Sequence, residues 1–160
     1  MHAQPQQEHE WLQQLVGQWT SETEANMGPD KPTEVFKSTE IVRSIGGLWT
    51  VCEGLGEMPG GGMATTIMTL GYDPAKKRFV GTFIGSMMTH QWVYEGHLDA
   101  ASKVLTLDTE GPSFAADGKL AKYQDIIEIK SPDHRTLTAR TLGEDGQWTQ
   151  FMTASYRRTK

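Results

Sequence analysis

Few side chains in this sequence have the types and spacing that acid–base chemistry requires. Glu53 alternates with Trp49 and Val51 along an apolar segment, so an inward-facing strand there would bury the carboxylate. Burial raises a carboxyl pKa and suits the group to general acid or base catalysis, and His90 is the second candidate for that role. At the mouth of a barrel, Glu53 would instead be solvated. The remaining polar candidates for the same interior are Tyr94, Tyr123 and Asp125.

The sequence lacks the spacing of a hydrolase and of a metal site. It has no nucleophile elbow, no paired carboxylates and no suitable order of Ser, His and Asp. His90 and His97 are seven residues apart, so on one continuous strand they face opposite sides and cannot share a metal. No cluster of His, Cys and carboxylate residues has zinc-like spacing. We therefore predict no metal and no cofactor.

Length and composition restrict the class of protein. A chain of 160 residues fits one domain spanning 1–160. Its net charge of −5 and scattered basic residues argue against a nucleic-acid partner. No apolar run approaches the roughly 20 residues that span a bilayer, and the amino terminus lacks a signal-like hydrophobic stretch. We expect a cytoplasmic protein without a membrane contact, in which the single cysteine, Cys52, is a small core residue.

Hydrophobic periodicity predicts a helix over 8–16 ahead of a long run of β-type sequence. Gly17 is well placed to end this helix, and residues 1–7 are predicted to be disordered. Alternating segments separated by turn residues predict ten strands. Their predicted bounds are 18–26, 34–45, 48–57, 64–72, 78–86, 91–98, 103–109, 121–130, 135–142 and 147–157.

Ten strands joined mainly by short loops favour an all-β fold. The expected architecture is a closed antiparallel up-and-down barrel over 18–157, with the helix at one end. A barrel of this size can enclose a small ligand. Methionine and aromatic side chains are crowded in the middle of the chain, where they could line a cavity or fill a solid core. The predicted ligand-binding residues are Trp49, Met68, Phe83, Met87, His90, Trp92, Tyr94 and Tyr123.

Two features at the ends of the predicted barrel resemble the calycin superfamily, the group of lipocalin-like barrels. Gly17 and Trp19 form a Gly-x-Trp sequence at the start of the first strand, and Arg157 and Arg158 end the last strand. In lipocalins a basic side chain of the final strand stacks on this indole where the barrel closes, which cation–π attraction favours. The resemblance implies that one of the two arginines packs on Trp19, because alternation lets only one of them point toward it.

Over nearly its whole length the chain also resembles a bacterial family known as domain of unknown function 1579. The segments that carry this resemblance are EHEWLQQLVGQW, LGYDPAKKRFVGTFIGSM, WVYEGHLD, LTLDTEGPS, YQDIIEI and SYRR, in this order. The family implies a calycin-like barrel and no established activity. Its usual pattern has Trp and Asp where this chain has Phe83 and Gly85, so an acid is missing from that segment.

These observations favour a non-catalytic carrier or sensor that binds a small apolar or aromatic molecule inside the barrel. His90 or Tyr123 would supply an orienting hydrogen bond. One alternative is an isomerase or cyclase that uses Glu53 or His90 for proton transfer. Another is an interaction protein with a solid barrel that forms a homodimer through its outer strands. The outward residues of that interface would be Val80, Ile84 or Phe151.

Overall fold

A computed structural model describes residues 2–26, 30–58, 60–115 and 117–160 of the chain. Met1, the first residue of the segment predicted to be disordered, lies outside these ranges. Within them, one helix precedes ten strands whose bounds lie close to the predicted ones. The elements are α1 (Gln7–Gln13), β1 (Gly17–Ala25), β2 (Glu34–Ile45), β3 (Trp49–Glu57), β4 (Met63–Asp73), β5 (Arg78–Gly85), β6 (Trp92–Leu98), β7 (Val104–Pro112), β8 (Leu120–Ser131), β9 (His134–Leu142) and β10 (Trp148–Arg158).

The strands form one closed antiparallel barrel in which each strand pairs with its neighbours along the chain. β1 also pairs with β10, with Trp19 opposite Arg158, so the sheet has no free edge. The predicted all-β up-and-down barrel with a short N-terminal helix is therefore confirmed. No helix in the described part of the chain is long and apolar enough to cross a membrane.

The helix α1 covers one end of the barrel. Leu12 and Leu15 are almost completely buried, at 0% and 1% exposure, and the helix contacts β3 and β4. His9 links the helix to the sheet, because its Nε2 donates a hydrogen bond to the carbonyl oxygen of Tyr72 over 3.0 Å. The cavity described below therefore opens at the opposite end.

The helix ends earlier than predicted because side chains capture the next carbonyl groups. Trp19 Nε1 donates to the carbonyl oxygen of Leu15 over 2.9 Å. The Arg158 guanidinium donates to the carbonyl oxygens of Gln14 and Val16 over 2.7 and 2.6 Å. The last carbonyl groups of a helix need such partners, since no helical N–H reaches them. Side chains of β1 and β10 thus fix the position of α1.

Arg158 is the arginine that stacks on Trp19 where the barrel closes. Its guanidinium carbon lies 4.2 Å from the centre of the indole, which is only 2% exposed. Arg157 is exposed and points away from this contact. Gly17 has a φ of +143°, and a side chain there would collide with the Arg158 guanidinium. Arg135 of β9 also lies over the indole, at 4.7 Å, a contact that the sequence did not suggest.

The face of β3 that carries Trp49 and Glu53 points outward, not into the barrel. Trp49 and Glu53 lie on the outer surface, where Trp49 is 42% exposed and Glu53 is 3.8 Å from Arg43. The inward positions carry Thr50, Cys52 and Gly54 instead. The helix α1 contacts this strand. The assignment of Trp49 to the cavity is therefore wrong, and of the two positions considered for Glu53 the solvated one applies.

Candidate ligand-binding site

The barrel contains a cavity of about 470 Å³, here called the main cavity. Its wall is formed mainly by methionine, aromatic and aliphatic side chains from β4 to β10. Met87 and Phe114, which are 43% and 51% exposed, follow β5 and β7 and mark its mouth. The structure brings together all the predicted ligand-binding residues except Trp49. These are Met68, Phe83, Met87, His90, Trp92, Tyr94 and Tyr123.

Four aromatic side chains, Trp92, Phe114, Tyr123 and Phe151, form an aromatic cluster in the wall of the main cavity. The ring centres of Trp92 and Tyr123 are 5.1 Å apart, and those of Phe114 and Phe151 are 4.8 Å apart. Both pairs are nearly perpendicular, the edge-to-face geometry that the ring quadrupole favours. His90 packs edge-on against Trp92, with the ring centres 4.7 Å apart. The cluster fixes the shape of the outer half of the cavity.

One carboxyl group, that of Asp125, faces this largely apolar space. Tyr94, only 1% exposed, donates its hydroxyl hydrogen to Asp125 Oδ2 over 2.5 Å. The residues beside Asp125 on the neighbouring strands are Leu107 and Ala139, which cannot stabilise its charge. Burial therefore raises the pKa of Asp125 to about 6, although the hydrogen bond from Tyr94 partly opposes the rise. Burial and the neighbouring carboxylate raise the pKa of Tyr94 well above its usual value.

The other polar side chains of the main cavity have hydrogen-bond partners among the described residues, with one exception; Trp92 Nε1, for example, donates to Met88 Sδ over 3.1 Å. Tyr123 donates its hydroxyl hydrogen to the carbonyl oxygen of Pro112 over 2.5 Å. His90 Nε2 donates to the carbonyl oxygen of Glu110 over 3.1 Å. Thr109, 8% exposed, has a buried Oγ1 without a hydrogen-bond partner among the described residues. Buried polar atoms are usually paired, so this hydroxyl is an exception in the cavity wall.

A smaller inner cavity of about 170 Å³ continues toward α1. It shares Met68, Phe83, Leu137 and Met152 with the main cavity. Its charged groups are Arg135 and Glu40, which form a buried ion pair with each other. Cys52 also lines this space, and burial raises the pKa of its thiol to about 12. The inner cavity thus holds a neutralised ion pair and an unreactive thiol.

No described cluster of three His, Cys, Asp or Glu side chains could hold a metal ion. His90 and Tyr94 do lie in the same cavity, whereas Glu53 lies outside the barrel. The carboxyl group in the wall of the main cavity is that of Asp125, whereas Glu40 in the inner cavity is paired with Arg135. Any proton transfer inside the main cavity would therefore involve Asp125 or His90 rather than Glu53.

Phe151 lines the main cavity, whereas strict alternation placed it on the outer surface as a dimer contact. The register of β10 against β9 shifts between Gln150 and Met152, so a β-bulge interrupts the alternation. As a result, the consecutive residues Phe151 and Met152 both reach the cavity. Phe114 could not be placed from sequence either, because it lies in the connection after β7. Thr109 fits the alternation of β7, but its type gave no signal.

Comparison with known proteins places the barrel in a family. The sequence pattern of the family described as Protein of unknown function (DUF1579) matches residues 4–158. The chain belongs to this family. The matched segment includes α1, every strand and the contact of Arg158 with Trp19. No curated protein matches the chain.

Solved structures with similar folds have sequences that differ strongly from this DUF1579 chain. Rv2717c from M. tuberculosis has a TM-score of 0.67 and 10% identity, with 98% of this chain and 100% of that chain covered. The S-type phycobiliprotein lyase CPES from Guillardia theta has a TM-score of 0.59 and 14% identity, with 98% and 99% covered. EF1p2_mFAP2b bound to DFHBI has a TM-score of 0.51 and 14% identity, with 94% and 98% covered. At these identities the similarity establishes the fold alone.

Proposed function

We propose that this protein is a carrier or sensor that binds one small apolar or aromatic molecule in the main cavity. The observation that carries this proposal is the combination of volume and lining. About 470 Å³ lies within the roughly 300–1,000 Å³ of small-molecule sites. Methionine and aromatic side chains dominate the wall, and a few polar groups could orient a ligand, as in many such sites.

Two of the similar barrels support a binding role for this fold. The structure of EF1p2_mFAP2b contains DFHBI, and CPES is a phycobiliprotein lyase. The alternative of a solid barrel that acts only through its outer strands has less support, because the described residues line two adjacent cavities that share part of their walls. The enzyme alternative no longer involves Glu53, which lies outside the barrel.

The proposal can be tested with N-phenyl-1-naphthylamine, a neutral apolar dye whose fluorescence rises on leaving water. We expect the dye to bind the wild-type protein at a single site and to quench tryptophan fluorescence. Ala139→Leu adds three carbons to a residue that lines the main cavity and is 4% exposed. We expect this variant to lose at least tenfold in affinity, because the added atoms occupy the space that the dye needs.

The matched control is Ala75→Leu, which adds the same atoms in the exposed turn after β4. This variant should bind the dye as the wild-type protein does. The proposal would be contradicted if Ala139→Leu, folded by circular dichroism, bound the dye unchanged, since the dye would then occupy another site. Mass analysis of compounds released from protein purified from its own host would identify the natural ligand.

A further inference from the structure

We propose that the main cavity selects organic cations, namely an apolar or aromatic body carrying a protonated amine that pairs with the Asp125 carboxylate. This inference rests on the proposed function and adds the chemical class of the ligand. Three features support it: the distribution of charged groups inside the barrel, the immediate surroundings of Asp125, and the aromatic cluster.

The charge in the wall of the main cavity is negative. Asp125 is its carboxyl group, and none of the described residues that line it is a lysine or an arginine. Arg135 of β9 lines the inner cavity instead, where it is paired with Glu40. An anionic ligand would therefore meet an uncompensated carboxylate, whereas a cationic ligand would neutralise it.

The immediate surroundings of Asp125 leave its charge without a protein counter-ion. Tyr94 supplies one hydrogen bond to Oδ2, and the adjacent positions on β7 and β9 are the apolar Leu107 and Ala139. The accessible part of the carboxyl faces the cavity rather than the outer surface. A ligand ammonium could occupy this position and donate a hydrogen bond to the carboxylate.

The aromatic cluster favours the same class of ligand. Ring faces carry negative electrostatic potential and attract ammonium groups within about 6 Å of the ring centre. Trp92 and Tyr123 belong both to the cluster and to the wall that contains Asp125. Aromatic faces combined with one carboxylate form the usual recognition environment of an organic cation, since the rings also pack against its apolar body.

The titratable groups that face Asp125 determine how binding should depend on pH. They are Tyr94 from β6, Tyr123 from β8 and His90 from the connection before β6, all in the wall of the main cavity. Both tyrosines have raised pKa values and stay neutral. Burial raises the pKa of Asp125 to about 6, so the affinity for a cation should rise from pH 5 to pH 7 and then become constant. A neutral ligand should show no such rise.

The experiment compares three naphthalene derivatives of similar size that differ in charge. These are 1-naphthylmethylamine, 1-naphthylmethanol and 1-naphthoic acid, titrated calorimetrically against the full chain between pH 5 and pH 8. At pH 7.5 we expect the amine to bind at least tenfold more tightly than the alcohol, and the acid to bind most weakly. Asp125→Asn should reduce the affinity for the amine about thirtyfold or more, as is typical when one member of a buried charge pair is removed. The same change should leave the affinity for the alcohol within about threefold.

Glu53→Gln is the matched control, because it makes the same chemical change on the outer surface and should alter none of the affinities. The inference is overturned if the alcohol or the acid binds as tightly as the amine, or if Asp125→Asn binds the amine unchanged. Either result would leave the proposed function intact as long as some of the three compounds bind. If neither these compounds nor N-phenyl-1-naphthylamine binds, the proposed function itself fails. Should Asp125→Asn not fold, the pH profile of amine binding to the wild-type protein decides, since a flat profile from pH 5 to pH 7 excludes Asp125 as the counter-ion.

Discussion

The ligand-free protein should lose stability as the pH rises, because the buried carboxyl of Asp125 ionises. Replacing Asp125 by Asn should remove this loss. The Asp125 carboxyl has a pKa of about 6 in the folded barrel, compared with 3.8 for an unperturbed Asp. Between these pH values the folded state holds a proton that the unfolded state has released. The stability that the protonated carboxyl contributes is therefore complete below about pH 4 and is lost as the pH rises through about 6.

The magnitude follows from the difference between the two pKa values. A difference of about two, at ~1.4 kcal/mol for each pKa unit, corresponds to about 3 kcal/mol. Asn remains neutral at every pH and can still accept the hydrogen bond from Tyr94. Relative to the wild-type protein, Asp125→Asn should thus gain about 3 kcal/mol of unfolding free energy between pH 4 and pH 7.5.

Urea unfolding of both proteins at half-unit pH intervals measures this difference directly. Asp99→Asn is an informative control, because backbone N–H groups of Val104 and Lys103 lower the pKa of Asp99 from 3.8. Its difference from the wild-type protein should therefore stay nearly constant between pH 4 and pH 7.5 and change, in the opposite direction, only below about pH 4. The reasoning about Asp125 would be refuted if the difference between wild type and Asp125→Asn stayed constant within about 0.5 kcal/mol across this range, as expected for a surface substitution.

Three further predictions concern the closed end of the barrel and the inner cavity. Glu40→Gln should lower the unfolding free energy by about 3–5 kcal/mol, because it leaves the 4% exposed Arg135 without its counter-ion, and urea unfolding would show this. Arg158→Lys should cost about 1–3 kcal/mol through lost bonds to the end of α1, whereas Arg157→Lys at an exposed position should be nearly neutral in the same assay. Cys52 should react with a thiol reagent at pH 8 only as fast as the barrel unfolds, and rapid labelling of the native protein would contradict its burial.

The strands could be predicted from sequence because turn residues mark nearly every connection. The largest difference is at β7, predicted to end at residue 109 but extending to Pro112. Gly111 and Pro112 indicated a loop, but a proline is tolerated at the end of a strand, where its missing N–H is not needed. Local rules thus gave the number and order of strands, and closure followed from the need to remove free edges.

The candidate site could be predicted only where alternation is regular. Trp92 and Tyr94 both line the cavity, as alternation predicts, because β6 is an uninterrupted strand. On β3 the rule that large apolar side chains point inward failed, because the inward positions carry Thr50, Cys52 and Gly54 while Trp49 packs on the outside over Gly71. Phe151 was misplaced because a β-bulge leaves no reliable mark in a single sequence. Which side of a strand points into the barrel therefore depends on tertiary packing, which periodicity alone does not reveal.

The pairing of β1 with β10 has a consequence for the synthesis of this protein. A ribosome produces β1 early and β10 at the end of the barrel sequence, so β1 keeps an open hydrogen-bonding edge during most of translation. Its indole acquires its Arg158 cover only after that last strand has emerged. A chain released before this point would expose two strand edges, which can pair with other unfinished chains. Premature termination within β10 should therefore yield insoluble protein rather than a folded barrel with one strand fewer.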